Sequence, residues 1–258
     1  MDPVHTNLKL GPLTSKLLFP FPWKDGFPSC QEWTDELEQL LSFAYAQGQM
    51  DDFLPRLRSQ RHTQRDAALN ELRVAFCFDR SGFSIVEWEP PGLAAKVGEF
   101  SIRAREGYAV FTEVKSPGWE SELSDAGRLA GRTRQPKYQE EDGGAFTNWE
   151  KMRKCIASEK TYPKFAPTQP NLLVITDNFW SSLVRTKLQI DIALYDKRGL
   201  YGSEIGYFAS PAYCNLGGVA TFLAQCGDAA VTYSIVVYGN PFALSQTTLP
   251  HSISSWHA

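Results

Sequence analysis

A chain of 258 residues, 43% hydrophobic and 21% charged, has enough apolar material for one large domain, or for a core domain with an appendage. Its net charge of −3 supplies no global basic field, so any contact with phosphates must come from local clusters of Lys and Arg. Five cysteines (Cys30, Cys77, Cys155, Cys214 and Cys226) are scattered and never in CxxC or CxH spacing, which argues against a metal cluster or disulfide framework and fits a reducing cytoplasm.

The first 28 residues, rich in Pro and aromatic side chains, predict an irregular arm over the surface. The opening MDPVHTNLKLGPLTSKLLFPFPW lacks a basic head followed by a long apolar run, so no signal peptide is expected. No window reaches the length of a membrane span, and no membrane partner is expected. Ser29 to Glu32 carries the Ser-x-x-Glu pattern that opens a helix, with an apolar stripe of Trp33, Leu37, Leu40, Leu41 and Ala44. Arg56, Arg58, Arg61 and Arg65 then crowd into one polar stretch.

A second helix is predicted over 66–82, with Gly82 at its C-terminal end. FSIVEWEP (83–90) reads as a strand that stops at Pro90-Pro91. KVGEFSIRAR and YAVFTEVK predict a hairpin around Glu106-Gly107. Residues 117–143, with Arg128, Arg132, Arg134 and Lys137, read as a long polar loop. A helix over 144–161 is predicted from Ala145, Trp149, Met152 and Ile156, followed by the apolar run NLLVITD (171–177) as a buried central strand.

LQIDIALYD (188–196) alternates and reads as a strand, as does VTYSIVVYG (231–239); the Gly- and aromatic-rich segment between them gives no assignment. The expected organisation is an N-terminal arm and helix (1–61) packing on a mixed α/β core (62–177), with a β-rich extension of the same domain (178–258).

Along a strand, Glu113 and Lys115 project to one face, and antiparallel pairing brings Glu99 opposite the end where Glu113 sits. Two carboxylates held close repel unless a cation lies between them, and oxygen ligands suit magnesium or manganese. Glu71 falls in the helical stripe Ala68, Glu71, Ala75, Phe78, so it too needs a partner: a metal, or an arginine such as Arg73 or Arg103. The four histidines lie outside any motif, and GxSxG, GxxxxGK and GxGxxG patterns are missing from the sequence.

A helix bearing a glutamate, a strand, an acidic residue opening a second strand, a third strand ending in Glu-x-Lys, then a helix and a buried strand: this succession, across 62–177, resembles the PD-(D/E)xK nuclease superfamily. The resemblance implies a restriction-endonuclease-like αβββαβ mixed-sheet core with an N-terminal helical extension and extra C-terminal strands. It implies that Glu99, Glu113 and the main-chain carbonyl of Val114 hold magnesium or manganese, with Glu71 completing the site and Lys115 assisting catalysis. Glu99 stands where this family usually carries Asp.

The implied activity is hydrolysis of phosphodiester bonds by metal-activated water, on DNA ahead of RNA and endonucleolytically ahead of exonucleolytically. Lys160 and Lys164 continue the helix stripe from Ile156 by steps of four, and with Arg61, Arg65, Arg132 and Arg134 they are the candidate nucleic-acid contacts. Lys160 equally suits the negative end of a helix dipole. The alternative is a nuclease-fold protein that binds nucleic acid or a protein partner without turnover. A homodimer fits either reading.

Overall fold

The computed structural model describes residues 8–19, 23, 28, 30–59, 61–116, 155–158, 160–177, 187–199 and 205–256. Four helices precede the first strand: α1 (Pro12–Leu18), α2 (Gln31–Ala46), α3 (Met50–Leu57) and α4 (His62–Arg80). α1 falls where an irregular arm was expected, with Pro12 at the first helical position, where a missing N–H costs nothing. α3 joins the arginine-rich stretch to the helical layer. Cys30, not Ser29, is the residue that caps α2, and no side chain caps it.

The strands β1 (Ser84–Trp88), β2 (Phe100–Arg103), β3 (Ala109–Lys115), β4 (Asn171–Asp177), β5 (Gly218–Cys226) and β6 (Val231–Gly239) form one six-stranded mixed sheet in chain order. β1, β2 and β3 make an antiparallel meander; β3, β4 and β5 run parallel; β6 returns antiparallel. Among the described residues of the C-terminal third lie the helices α5 (Lys187–Tyr195) and α6 (His251–Ser254). The structure therefore corrects the expected strand at 188–196 to α5. Ile190, Ala193 and Leu194 are its buried residues, and their i, i+3, i+4 spacing is helical. β5 arises from the segment that sequence left unassigned.

Two apolar bodies sandwich the sheet. Val110, Val114, Leu172, Val174, Ala220 and Phe222 face the side covered by α2 and α4; Phe111, Leu173, Ile175 and Val219 face the side covered by α5 and Phe165. β3 and β4 are thus buried on both faces, which is why NLLVITD is continuously apolar. Burying each such side chain contributes about 1.5–3 kcal/mol, so an acidic residue inside this layer needs a strong compensating partner. Among the described residues, no helix is long and apolar enough to cross a membrane.

Candidate functional site

Glu99 is delivered by a tight connection between β1 and β2. Glu89 N–H donates to the Glu99 carbonyl at 3.0 Å, Gly98 N–H to that of Pro90 at 3.0 Å, and Gly92 N–H to that of Lys96 at 2.7 Å. Gly98 permits this course: a Cβ there would lie 2.5 Å from the Phe111 ring. Phe100 pairs with Thr112, so one further step of the register sets Glu99 opposite Glu113. At the other end of the hairpin Gly107 adopts φ +90°, a conformation that L side chains avoid.

Glu113 is fully buried, on the face of the sheet it shares with Phe111. Lys164 Nζ donates to both of its carboxylate oxygens at 2.7 Å, and Lys115 Nζ pairs with Oε1. Lys164 belongs to a 3-10 turn, Tyr162–Lys164, followed by the fully buried Phe165. The Asn171 amide then donates to the carbonyls of Ala166, Gln169 and Asn215 at 2.7, 2.9 and 2.7 Å, tying this segment to the start of β4.

Glu71 is buried on α4 and held by Arg56 of α3, whose Nη1 donates to Oε1 at 3.4 Å and whose Nη2 pairs with Oε2. Arg56 is shared, donating to Asp52 at 2.9 Å as well. The two arginines expected from sequence are engaged elsewhere: Arg73 grips Glu36 at 2.8 and 2.6 Å, and Arg103 donates to the Gly107 carbonyl at 3.4 Å. In the sequence Arg56 stands out only as one of four crowded arginines and as the i+4 neighbour of Asp52, and neither relation says anything of Glu71.

Burial, and next the charge of Glu99, push the Glu71 carboxyl up to about 8 against the pull of Arg56. Burial and Glu113 likewise raise Glu99, opposed by Lys115, Lys164 and Arg56. The three acids thus form an electrostatically linked row, Glu71 to Glu99 to Glu113, bordered by three cations. They are a row and not a cage: among the described residues, the one set of three or more potential ligand atoms all within 4.8 Å of one another is Cys30, Glu32 and Cys226. A divalent ion at the row would have to compete with Lys115 and Lys164 for Glu113.

Next to Glu71 on α4, Asn70 donates to Ser116 at 3.2 Å and the Ser116 hydroxyl meets that of Thr176 at 2.8 Å. This polar patch lies at the carboxyl ends of the parallel strands β3 and β4, the end at which open α/β sheets bind their ligands.

The remaining predicted residues divide. Val114, the penultimate residue of β3, is buried with its side chain in the α4-facing core. Lys160 is exposed and does not point toward the core; the chain leaves the helical course after 155–157, and Pro163 occupies the 3-10 turn that brings in Lys164 instead. Arg61 is exposed, whereas Arg65 is buried with its guanidinium over the Trp23 ring, 5.1 Å from the centroid, and is a packing residue. Arg132 and Arg134 lie outside the described residues.

A carboxyl with a higher pKa in the folded than in the unfolded chain stabilises the fold below the unfolded value, and that contribution is lost as pH rises through the folded value. Glu71 should therefore erode stability between its ordinary value of 4.5 and about 8. Across that window the unfolding free energy of Glu71→Gln, from urea denaturation, is expected to gain on that of the wild type by a few kcal/mol. A difference that stays constant with pH would refute the assignment.

No family model matches the chain, and neither a curated protein nor a solved structure matches it.

Proposed function

We propose that the protein is a divalent-metal-dependent nuclease acting on DNA phosphodiesters. The observation that carries this reading is the convergence, at the carboxyl end of β3, of a fully buried glutamate, two further acids raised in pKa, and two lysines. Carboxylates raised by burial and by one another at the ligand-binding end of a sheet mark a candidate functional site. The succession of α4 with Glu71, the meander, and a crossover to parallel β4 also supports a restriction-endonuclease-like core.

Glu113 and Glu99, with the Val114 carbonyl, would hold magnesium or manganese, and Glu71 would complete the set. Oxygen donors of this kind fit a hard dication, and their mutual repulsion favours one. When bound, such an ion would polarise a phosphate oxygen and acidify water. Lys115, partly exposed beside Glu113, orients the attacking water or stabilises negative charge gathering on phosphorus. Lys164 carries a second ammonium to the same point and, released from Glu113, would contact a phosphate.

One observation favours a second reading, a binding protein without turnover. The chain already neutralises Glu113 with two lysines and Glu71 with an arginine. Manganese titration calorimetry separates the two. The nuclease reading expects binding by the wild type that weakens at least tenfold in Glu99→Ala, by analogy with lost ligand support at metal sites. It also expects supercoiled plasmid to be nicked with manganese, and Lys115→Ala to nick about 10² to 10⁴ times more slowly. Absence of both heat and cleavage would remove the nuclease reading; equal cleavage by wild type and Lys115→Ala would remove the mechanism.

A further inference from the structure

Two cysteines that sequence spacing kept apart are brought together. Cys30 caps the N-terminus of α2, and Cys226 ends β5, 196 residues later. Their sulfurs are 3.3 Å apart, and Cys226 Sγ is 3.9 Å from a carboxylate oxygen of Glu32, in the first turn of α2. All three potential ligand atoms lie within 4.8 Å of one another, and all three residues are half-buried. We propose that Cys30, Glu32 and Cys226 form a binding site for zinc, or a divalent ion of similar thiophilicity, that joins the start of α2 to the end of β5.

The distances favour this over the alternatives. Zinc with Zn–S of about 2.3 Å and Zn–O of about 2.0–2.2 Å in tetrahedral geometry separates two sulfurs by about 3.8 Å and a sulfur from an oxygen by about 3.5 Å. The sulfur–sulfur separation and that of Cys226 from Glu32 are each within about half an ångström of those values, and Cys30 lies within 4.8 Å of the Glu32 carboxylate. A disulfide, with its bond of about 2.05 Å, requires the sulfurs to close by more than an ångström between a helix end and a strand end. The donor set has the same preference: two thiolates select a soft or borderline ion, and a carboxylate is a common third ligand of zinc. Burial first, with Glu32 and Cys226 beside it, pushes the free Cys30 thiol up to about 12, so an ion bound there must displace that proton.

Three protein ligands on a half-buried surface leave the fourth position to solvent. Such an ion closes a loop through most of the chain, so its first consequence is stability of the folded state. The site is independent of the acidic row. Its test requires no nuclease activity.

The reduced full-length protein, titrated with zinc against a chromophoric chelator, is expected to bind one equivalent. Affinity should fall more than tenfold in Cys30→Ser and in Cys226→Ser, fall less in Glu32→Gln, and stay unchanged in Cys155→Ser. Cobalt in place of zinc is expected to give the near-ultraviolet absorption of thiolate-to-metal charge transfer in the wild type and to lose it in both serine variants. Zinc should raise the melting temperature of the wild type and of Cys155→Ser alone among the cysteine forms, while the metal-free serine variants melt cooperatively. Three results would overturn the proposal: no stoichiometric zinc binding by the reduced protein, binding that survives both serine substitutions, or a cobalt spectrum without charge-transfer bands.

Discussion

Glu113→Gln is expected to lower metal-dependent cleavage by about three orders of magnitude while the protein stays folded. A metal ion contributes several kcal/mol of transition-state stabilisation, and each 1.36 kcal/mol is a factor of ten in rate. A neutral amide at 113 removes the negative charge that would anchor the ion and leaves the rest of the row in place. The fold survives because Lys115 and Lys164, with 27% and 14% of their side-chain surfaces exposed, reach water once released. The stability cost is then about 1–3 kcal/mol, the price of imperfectly paired polar groups. Plasmid nicking alongside a urea melt checks both halves; cleavage within tenfold of wild type by a folded Glu113→Gln protein would end the nuclease proposal.

The largest expected loss of stability lies elsewhere, at Arg73. This guanidinium grips both oxygens of Glu36 and lies over the Trp33 ring, 4.7 Å from its centroid. The Tyr233 hydroxyl donates to the same carboxylate at 2.7 Å, joining α2, α4 and β6. Glu36 is 4% exposed, so Arg73→Leu strands a charge that water cannot reach and should cost about 3–5 kcal/mol. Adding Glu36→Gln should recover part of that loss, since the stranded charge is then gone. Urea denaturation of the two single variants and the double variant measures the coupling. A cost below about 1 kcal/mol for Arg73→Leu would show that the pair contributes little.

The hairpin that positions the acids was legible because its signals were local: strand alternation, Glu106-Gly107 at the turn, and a register that follows from the turn. β4 and β6 were legible as β-rich runs bounded by turn residues. α5 was misread because Leu188, Ile190, Ile192 and Leu194 alternate perfectly while Ile190, Ala193 and Leu194 also satisfy a helix, and only packing decides between two valid periods. The partner of Glu71 was beyond reach for a different reason. Arg56 meets Glu71 through the packing of α3 on α4, a tertiary relation with no periodic trace. Lys164 was found on the wrong grounds: a continued helix was assumed, whereas Pro163 and a 3-10 turn bring it to Glu113. The cysteine pair was hidden by distance along the chain alone.

The parallel junction of β3 with β4 sets Lys115 beside Ile175, and the whole stretch 116–170 must be looped before that junction can form. Loop closure of this length is an entropic cost met before any of its hydrogen bonds are gained, so the junction belongs to the slow part of assembly. A nascent chain emerging from the ribosome therefore displays the hairpin with Glu99 and Glu113 well before Lys164 exists to neutralise them. The acidic row is born with Arg56 and Lys115 beside it but one ammonium short, and the last of its countercharges arrives only when the crossover closes.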